Sequence, residues 1–245
     1  MEKQLKTSFL SIVIAAFNER ENIEELTLRI EAVMKKIKMP YELIYVLAGT
    51  DGTLEKVQQL QKKIPEIRYH YNKEPGGLGN DFKKGFAMVS PKSDYVVTMD
   101  ADLNHHPEEI PQFIEEAKRS NVDVVIGSRQ IGHALVENIP AWKKTVSKIA
   151  NVIFYLLTRM TVKDKTSGYR LYKREVIQDI AKKMRAPNFE CVMEIILIAA
   201  KQRRTFAEIP IRFTYRIHGK SKMNLIKTVY GYLLLLMKVV FRRIE

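Results

Sequence analysis

The stretch Asp94-Tyr95-Val96-Val97-Thr98-Met99-Asp100-Ala101-Asp102-Leu103-Asn104-His105-His106-Pro107 decides the fold. Its apolar run from Tyr95 to Met99 has the length and side chains of a strand, ends in two carboxylates one residue apart, and gives way at Pro107 to a Glu-rich helical segment. Side chains alternate along a strand, so Asp100 and Asp102 share a face while extension continues, and a tight turn there brings both to one edge of a cleft. Two hard oxygen ligands so placed suit Mg²⁺ or Mn²⁺, which keeps several waters and takes substrate phosphates to complete its shell. Asp-x-Asp by itself is a weak string, at home in any solvated loop. Its position at the carboxyl end of a strand within an α/β pattern turns the reading toward a ligand site, because open parallel sheets bind ligands there.

Outward from this stretch, residues 9–17, 42–47, 67–71 and 122–127 are further β-branched or aromatic runs, separated by helical segments. Between the first two, Ile23, Leu26, Ile30, Val33 and Ile37 recur at three- and four-residue spacing, the stripe of an amphipathic helix. The alternation predicts an α/β fold with right-handed βαβ units and a mostly parallel sheet flanked by helices. There are no internal repeats and no low-complexity linker.

The chain has 245 residues, 46% of them hydrophobic, enough for a buried core. Its single Cys191 excludes an intramolecular disulfide framework and a Cys-based metal cluster, fits a reducing compartment, and is expected as a core thiol. The first residues read as a strand entering a folded domain, without the small-residue cleavage site of a secretory signal. The excess of 41 basic over 28 acidic residues, a net charge of +13, calls for an anionic partner: nucleic acid, phospholipid or phosphorylated substrate. After Lys143 the basic residues interleave with apolar runs and form no Arg/Gly arm or aromatic RNA-binding strand, which favours a membrane surface over nucleic acid.

Two such runs stand out, residues 145–160 and residues 229–240, the latter closing on Arg242-Arg243. Neither reaches the ~18 to 20 uninterrupted apolar residues of a spanning helix. Both suit the interface, with apolar faces in lipid and cations toward headgroups; the alternative is that they pack on the sheet. For the final helix, apolar nearly all round, the lipid reading is ahead. The expected organisation is a domain over residues 1–222 with an interfacial helix inserted at about 142–161, followed by a C-terminal amphipathic helix at 223–245.

Ordered along the chain stand Ala15-Ala16-Phe17-Asn18-Glu19-Arg20-Glu21-Asn22, Gly49-Thr50-Asp51-Gly52-Thr53, Gly76-Gly77-Leu78-Gly79-Asn80, the Asp100–Pro107 stretch, Gly127-Ser128-Arg129, Thr166-Ser167-Gly168-Tyr169-Arg170, and Arg216-Ile217-His218-Gly219-Lys220-Ser221-Lys222-Met223. From about Ser11 to Met223 this order resembles the family 2 inverting glycosyltransferases of GT-A fold, and within them the dolichol-phosphate mannose synthase-like group. The resemblance implies transfer of a sugar from a nucleotide diphosphate (GDP-mannose or a UDP-sugar) to a polyprenyl or dolichyl phosphate, at the cytoplasmic face of a membrane, with Mg²⁺ or Mn²⁺ held by Asp100, Asp102 and Asn104. It assigns donor binding to Ala15, Phe17, Glu19, Ala48, Asp51, Gly79, Asp100, Ala101, Asp102 and Arg129. Lys143, Lys144, Ser147, Arg170, Arg216, His218 and Lys222 fall to the acceptor phosphate, and Asp102, Arg129, Arg216, His218 and Lys222 to catalysis.

Each assignment has an ordinary counterpart. Glu19 is also an acid favoured at a helix start, the glycine run is also a strand-to-helix turn, and Arg129, expected to grip a phosphate bidentately, is also a candidate for an ion pair. The chain departs from the family pattern at Ala15 and Phe17, where Pro and Tyr are usual, at Ala48, where an Asp contacts base or ribose, at Asp81, where a small residue is commoner, and at His218, which replaces Arg. A lipid monophosphate, with a second pKa of ~6, is already ionised and needs no general base. The alternative, motivated by Ala48 and Asp81, is a catalytically silent, membrane-associated nucleotide-sugar-binding protein on the same fold.

Overall fold

The computed structural model describes residues 8–137, 141–214 and 225–240. Four parallel strands, β1 (Leu10–Phe17), β2 (Tyr41–Ala48), β3 (Ile67–Asn72) and β4 (Tyr95–Thr98), alternate with α1 (Ile23–Ile37), α2 (Thr53–Gln61) and α3 (Leu78–Met88). After α4 (Ile110–Ser120) come β5 (Val124–Ser128), β6 (Leu135–Glu137) and α5 (Ala141–Thr158). The chain continues through β7 (Arg170–Lys173), α6 (Arg174–Lys183), α7 (Cys191–Lys201), β8 (Phe206–Pro210), β9 (Arg212–Thr214) and α8 (Leu225–Val240). The seven-stranded sheet has the order β3-β2-β1-β4-β7-β5-β8, and β6 and β9 form a separate parallel pair.

The strands are apolar on both faces because both faces are covered. Ile12, Ile14, Leu43, Tyr45 and Val97 join one core with Ile23, Leu26 and Ile30 of α1 and Phe113 of α4. Val13, Ile44 and Val96, one residue out of phase, join the other with Phe82 and Phe86 of α3, Ile177 of α6 and Ile195 of α7. Cys191 is buried in this second core, as its composition-level reading anticipates.

One strand departs from parallel order. β7 lies antiparallel between β4 and β5, pairing Val97 with Leu171 and Ile126 with Arg170. Its four residues carry only Leu171 and Tyr172 as apolar groups, so it has no local signature; the two half-paired strands beside it supply the reason for its conformation. On one side of β1 the chain steps to β2 and β3, and on the other lies β4, so the order reverses between β1 and β4 and their carboxyl ends frame a crevice.

α5 and α8 pack together against α7: Phe154 of α5 and Leu235 of α8 are buried with Met193 and Leu197. No described helix is long and apolar enough to cross a membrane.

Candidate functional site

β4 ends at Thr98, and the next six residues form a loop held by its own side chains. Asp102 is buried and accepts from Asn104 twice, Oδ1 from the backbone N–H at 3.2 Å and Oδ2 from the side-chain Nδ2 at 2.9 Å. Leu103 takes a positive φ of 61° to make this tight turn. The Asp100 side chain remains 41% exposed, facing the crevice rim. Its backbone N–H donates to Nδ1 of His105 at 3.1 Å, so that ring nitrogen is an acceptor and the imidazole is neutral. Burial enforces the same state, lowering the His105 pKa to about 3. The ring stacks on Tyr169 at 4.9 Å and meets Phe213 edge-on at 5.6 Å.

Asn104 Oδ1 is buried beside Asp102 without a hydrogen-bond partner. An orphaned amide oxygen next to two carboxylates fits a hard divalent cation. Among the described residues no cluster of three or more His, Cys, Asp or Glu side chains could hold a metal, so such a cation would complete its shell with water and substrate oxygens.

Around this loop the structure assembles the other carboxyl-end segments. Glu19 is buried, its N–H donating to Thr53 Oγ1 at 2.9 Å and its Oε2 accepting from Asn22 at 2.7 Å, which ties the loop after β1 to the start of α2. Ala15 is half-buried in β1, Phe17 is exposed at its end, and Ala48 and Ala101 are buried. Asp51 does not simply reach into the space left by Ala48. Its carboxylate accepts from Thr53 N–H at 3.0 Å and from Arg20 N–H at 3.1 Å, so it fixes the turn into α2. Asp81 is buried and accepts from Asn72 at 2.8 Å; burial raises its pKa.

Three assigned residues do something other than expected. Arg129 does not offer a free fork for a phosphate: Nε and Nη2 bind Asp164 at 2.8 and 2.9 Å, and Nη2 also reaches Thr166 at 2.8 Å. Burial by itself would raise the Asp164 carboxyl, yet Arg129 opposite holds it at about 2. Arg170, assigned to the acceptor phosphate, is only 1% exposed and donates to Val192 O at 2.6 Å and Lys165 O at 2.9 Å. It braces backbone under the site and meets no open surface. Gly79 is needed by the chain's own backbone: its N–H donates to Pro187 O at 2.8 Å, and an added Cβ would collide with the Ala186 carbonyl.

Ser147 joins the site from α5, its hydroxyl 3.0 Å from Thr166 Oγ1. Lys143 and Lys144 lie on α5, but their side chains are outside the described residues, as are Arg216, His218 and Lys222. Asp164 and His105 are the residues that sequence reasoning passed over. Asp164 stands two residues ahead of the Thr166 motif, where its Oδ1 accepts the Thr166 N–H at 3.2 Å, a short-range signature visible in Asp-Lys-Thr.

Residues 11–181 match the model of Glycosyl transferase family 2. The chain belongs to this family. Among curated relatives, this family 2 member is 37% identical over 227 residues to a dolichol-phosphate mannosyltransferase of Pyrococcus furiosus, covering 91% of this chain and 61% of that protein. It is 29% identical over 235 residues to an uncharacterized protein of Methanocaldococcus jannaschii, covering 94% of this chain and 92% of the relative. Thus the chain spans about three-fifths of the first relative's length. Solved structures share the fold: glucosyl-3-phosphoglycerate synthase of Mycobacterium tuberculosis, with Mn²⁺, UDP and glucosyl-3-phosphoglycerate, superposes with a TM-score of 0.65 at 16% identity over 97% of this chain and 80% of that one. The same enzyme with Mg²⁺ and UDP gives 0.66 at 17% identity, over 97% and 79%.

Proposed function

We propose that this chain transfers a sugar, with inversion, from a nucleotide diphosphate donor to a polyprenyl or dolichyl phosphate at the cytoplasmic face of a membrane, using a divalent cation. The observation that carries the reading is the apolar face on α5 and α8 beside the carboxyl-end crevice. Val152, Tyr155 and Leu156 of α5 and Tyr230, Leu233 and Met237 of α8 are all exposed, while Phe154 and Leu235 on the opposite sides of the same helices are buried. Two adjacent helices with one buried and one bare apolar face suit a lipid surface. Ser147, on the first of them, touches the Thr166–Arg129 network of the site. The similarity to a dolichol-phosphate mannosyltransferase supports the acceptor, and the Mn²⁺, Mg²⁺ and UDP complexes of the mycobacterial enzyme support a metal-assisted donor site on this fold.

In this reading Asp100, Asp102 and Asn104 hold the cation, which when bound neutralises charge on the departing diphosphate. Phe17 and Glu19 line the nucleoside side of the crevice. Arg129, immobilised by Asp164, sets its guanidinium near Asp100; burial opposes its charge, but Asp164 and, more weakly, Asp100 hold the arginine pKa above its usual value. An ionised lipid phosphate supplies its own nucleophilic oxygen. His105 is no candidate base: its Nδ1 is engaged by the Asp100 N–H and its ring is buried. Arg216, His218 and Lys222 hold the acceptor phosphate against repulsion from the donor.

The decisive experiment titrates GDP-, UDP- and dTDP-sugars with Mn²⁺ by calorimetry and assays each for transfer to a polyprenyl phosphate in vesicles. Chelator-sensitive transfer from one donor is expected. Donor binding with no turnover would make the chain a silent nucleotide-sugar binder, and binding of none would remove the donor assignment.

A further inference from the structure

A buried carboxylate lies under α8. Glu190 stands at the head of α7 and is 5% exposed. Its Oε1 accepts the Asn188 N–H at 3.2 Å, while its Oε2 is buried without a hydrogen-bond partner among the described residues. Gly231 of α8 covers it: an added Cβ there would stand 2.7 Å from both Cδ and Oε2 of Glu190. The missing side chain is what lets the helix come so close. A carboxylate oxygen dried without a partner is a cost of this seating, because in water it would be hydrogen-bonded.

The contacts that offset this cost are apolar. Leu235 of α8 is buried with Phe154 of α5 and with Met193 and Leu197 of α7, in a cluster apart from the two cores of the sheet. Phe154 follows Ser147 by two helical turns, about 10 Å along the same face of α5, and Asn151 between them is buried. The seam between α5 and α7 that Leu235 fills therefore runs toward the site. Burial pushes the Tyr232 hydroxyl up to about 12, and Arg170, Glu190 and Arg129 lie within electrostatic reach of it, so α8 borders the site here.

We propose that α8 is a lid: seated as it is, it seals the seam between α5 and α7, and contact with lipid draws it away, wetting Glu190 and opening the seam toward the crevice. The inference rests on the lipid-surface reading given above. α8 is apolar nearly all round, so in a bilayer surface its inner residues find surroundings as apolar as Phe154 and Met193, and the seam it leaves faces the same lipid. Glu190 meanwhile regains hydrogen-bond partners. Lipid thus favours the lifted state over the seated one, which is the condition for a ligand to shift a two-state equilibrium. A lid of this kind makes turnover depend on the membrane beyond simple tethering.

Hydrogen exchange on the full chain with phosphatidylglycerol vesicles tests it. The Asn188 amide, held by Glu190, and the first turn of α7 are the reporters. In the wild type, vesicles should speed exchange ~10-fold in a peptide covering residues 188–194. Leu235→Ala removes the apolar hold, and Gly231→Ala sets a methyl group against Glu190 while raising helix propensity. Both should speed exchange at 188–194 without vesicles. In turnover with a water-soluble short-chain polyprenyl phosphate, vesicles lacking acceptor should raise kcat ~10-fold in the wild type and under ~2-fold in Leu235→Ala. Vesicles that co-sediment with the wild type yet leave exchange at 188–194 unchanged or slower overturn the lid, whether or not either variant folds. So does wild-type exchange in both variants. No co-sedimentation removes the lipid-surface reading and the lid with it, whereas faster exchange without any transfer sinks the acceptor reading and leaves the lid standing.

Discussion

Asp102 accepts from Asn104 through both of its carboxylate oxygens, so the chain's own side chains shape the turn. Asp102→Asn should abolish Mn²⁺-dependent nucleotide binding and transfer while leaving the thermal midpoint within a few degrees, since a carboxylate beside another carboxylate gains little from its charge. Calorimetric donor binding equal to wild type would remove Asp102 from the metal site. Asp164 is the reverse case. It is fully buried against Arg129, and Asp164→Ala leaves a buried guanidinium without its partner, a loss of about 3 to 5 kcal/mol by urea unfolding. His105 carries the pH signature. Its folded pKa lies below the unfolded one, so its stabilising contribution is complete above pH ~6.5 and declines as pH falls toward the folded value of about 3, at on the order of 1 kcal/mol per pH unit. Ring NMR should show this histidine as the Nε2–H tautomer without titration between pH 8 and 5; a titration near 6.5 would contradict the buried geometry.

At the scale of elements, α5 and α8 each have two apolar sides with different duties. Leu156 and Leu233 are 57% and 53% exposed, whereas Leu235 is 3% exposed against Phe154 and the α7 side chains. Leu156→Glu with Leu233→Glu should leave stability unchanged and weaken binding to anionic vesicles ~100-fold, through lost apolar burial and like-charge repulsion. Leu235→Ala should do the opposite, costing about 2 to 3 kcal/mol of stability with vesicle binding preserved in the folded fraction. Co-sedimentation and denaturant titration separate the two. Deleting residues 225–245 is a poorer probe, because it uncovers Met193 and Leu197 as well as removing the proposed lipid contact.

For the whole molecule the +13 charge and the bare helical face act together. Vesicle association should require anionic lipid at low apolar content of the bilayer surface and fall as salt rises from 50 to 500 mM, roughly tracking the shrinking Debye length. Salt-insensitive binding would assign the affinity to apolar insertion alone, and equal binding to random DNA would reopen the nucleic-acid reading.

What the sequence determined by itself is the part of the molecule governed by local periodicity and short-range geometry. Short β-branched or aromatic runs of strand length and a stripe at period three to four place β1 to β5 and α1, and Asp-x-Asp at a strand end marks the crevice, because each depends on residues within a few positions of one another. The ordered motifs extend this to the family. The tertiary structure decided the rest. Only the vacant edges of β4 and β5 make a strand of Arg170–Lys173, only folding across 35 residues turns Arg129 from a phosphate grip into the partner of Asp164, and only the arrival of β9 binds Thr214 to Asn104. Which face of α8 is buried also follows from α7, not from its own nearly circumferential apolar pattern. A hydrogen bond or an apolar contact between distant segments leaves no periodic trace in the chain, since what selects it is the complement supplied by another element after both have folded.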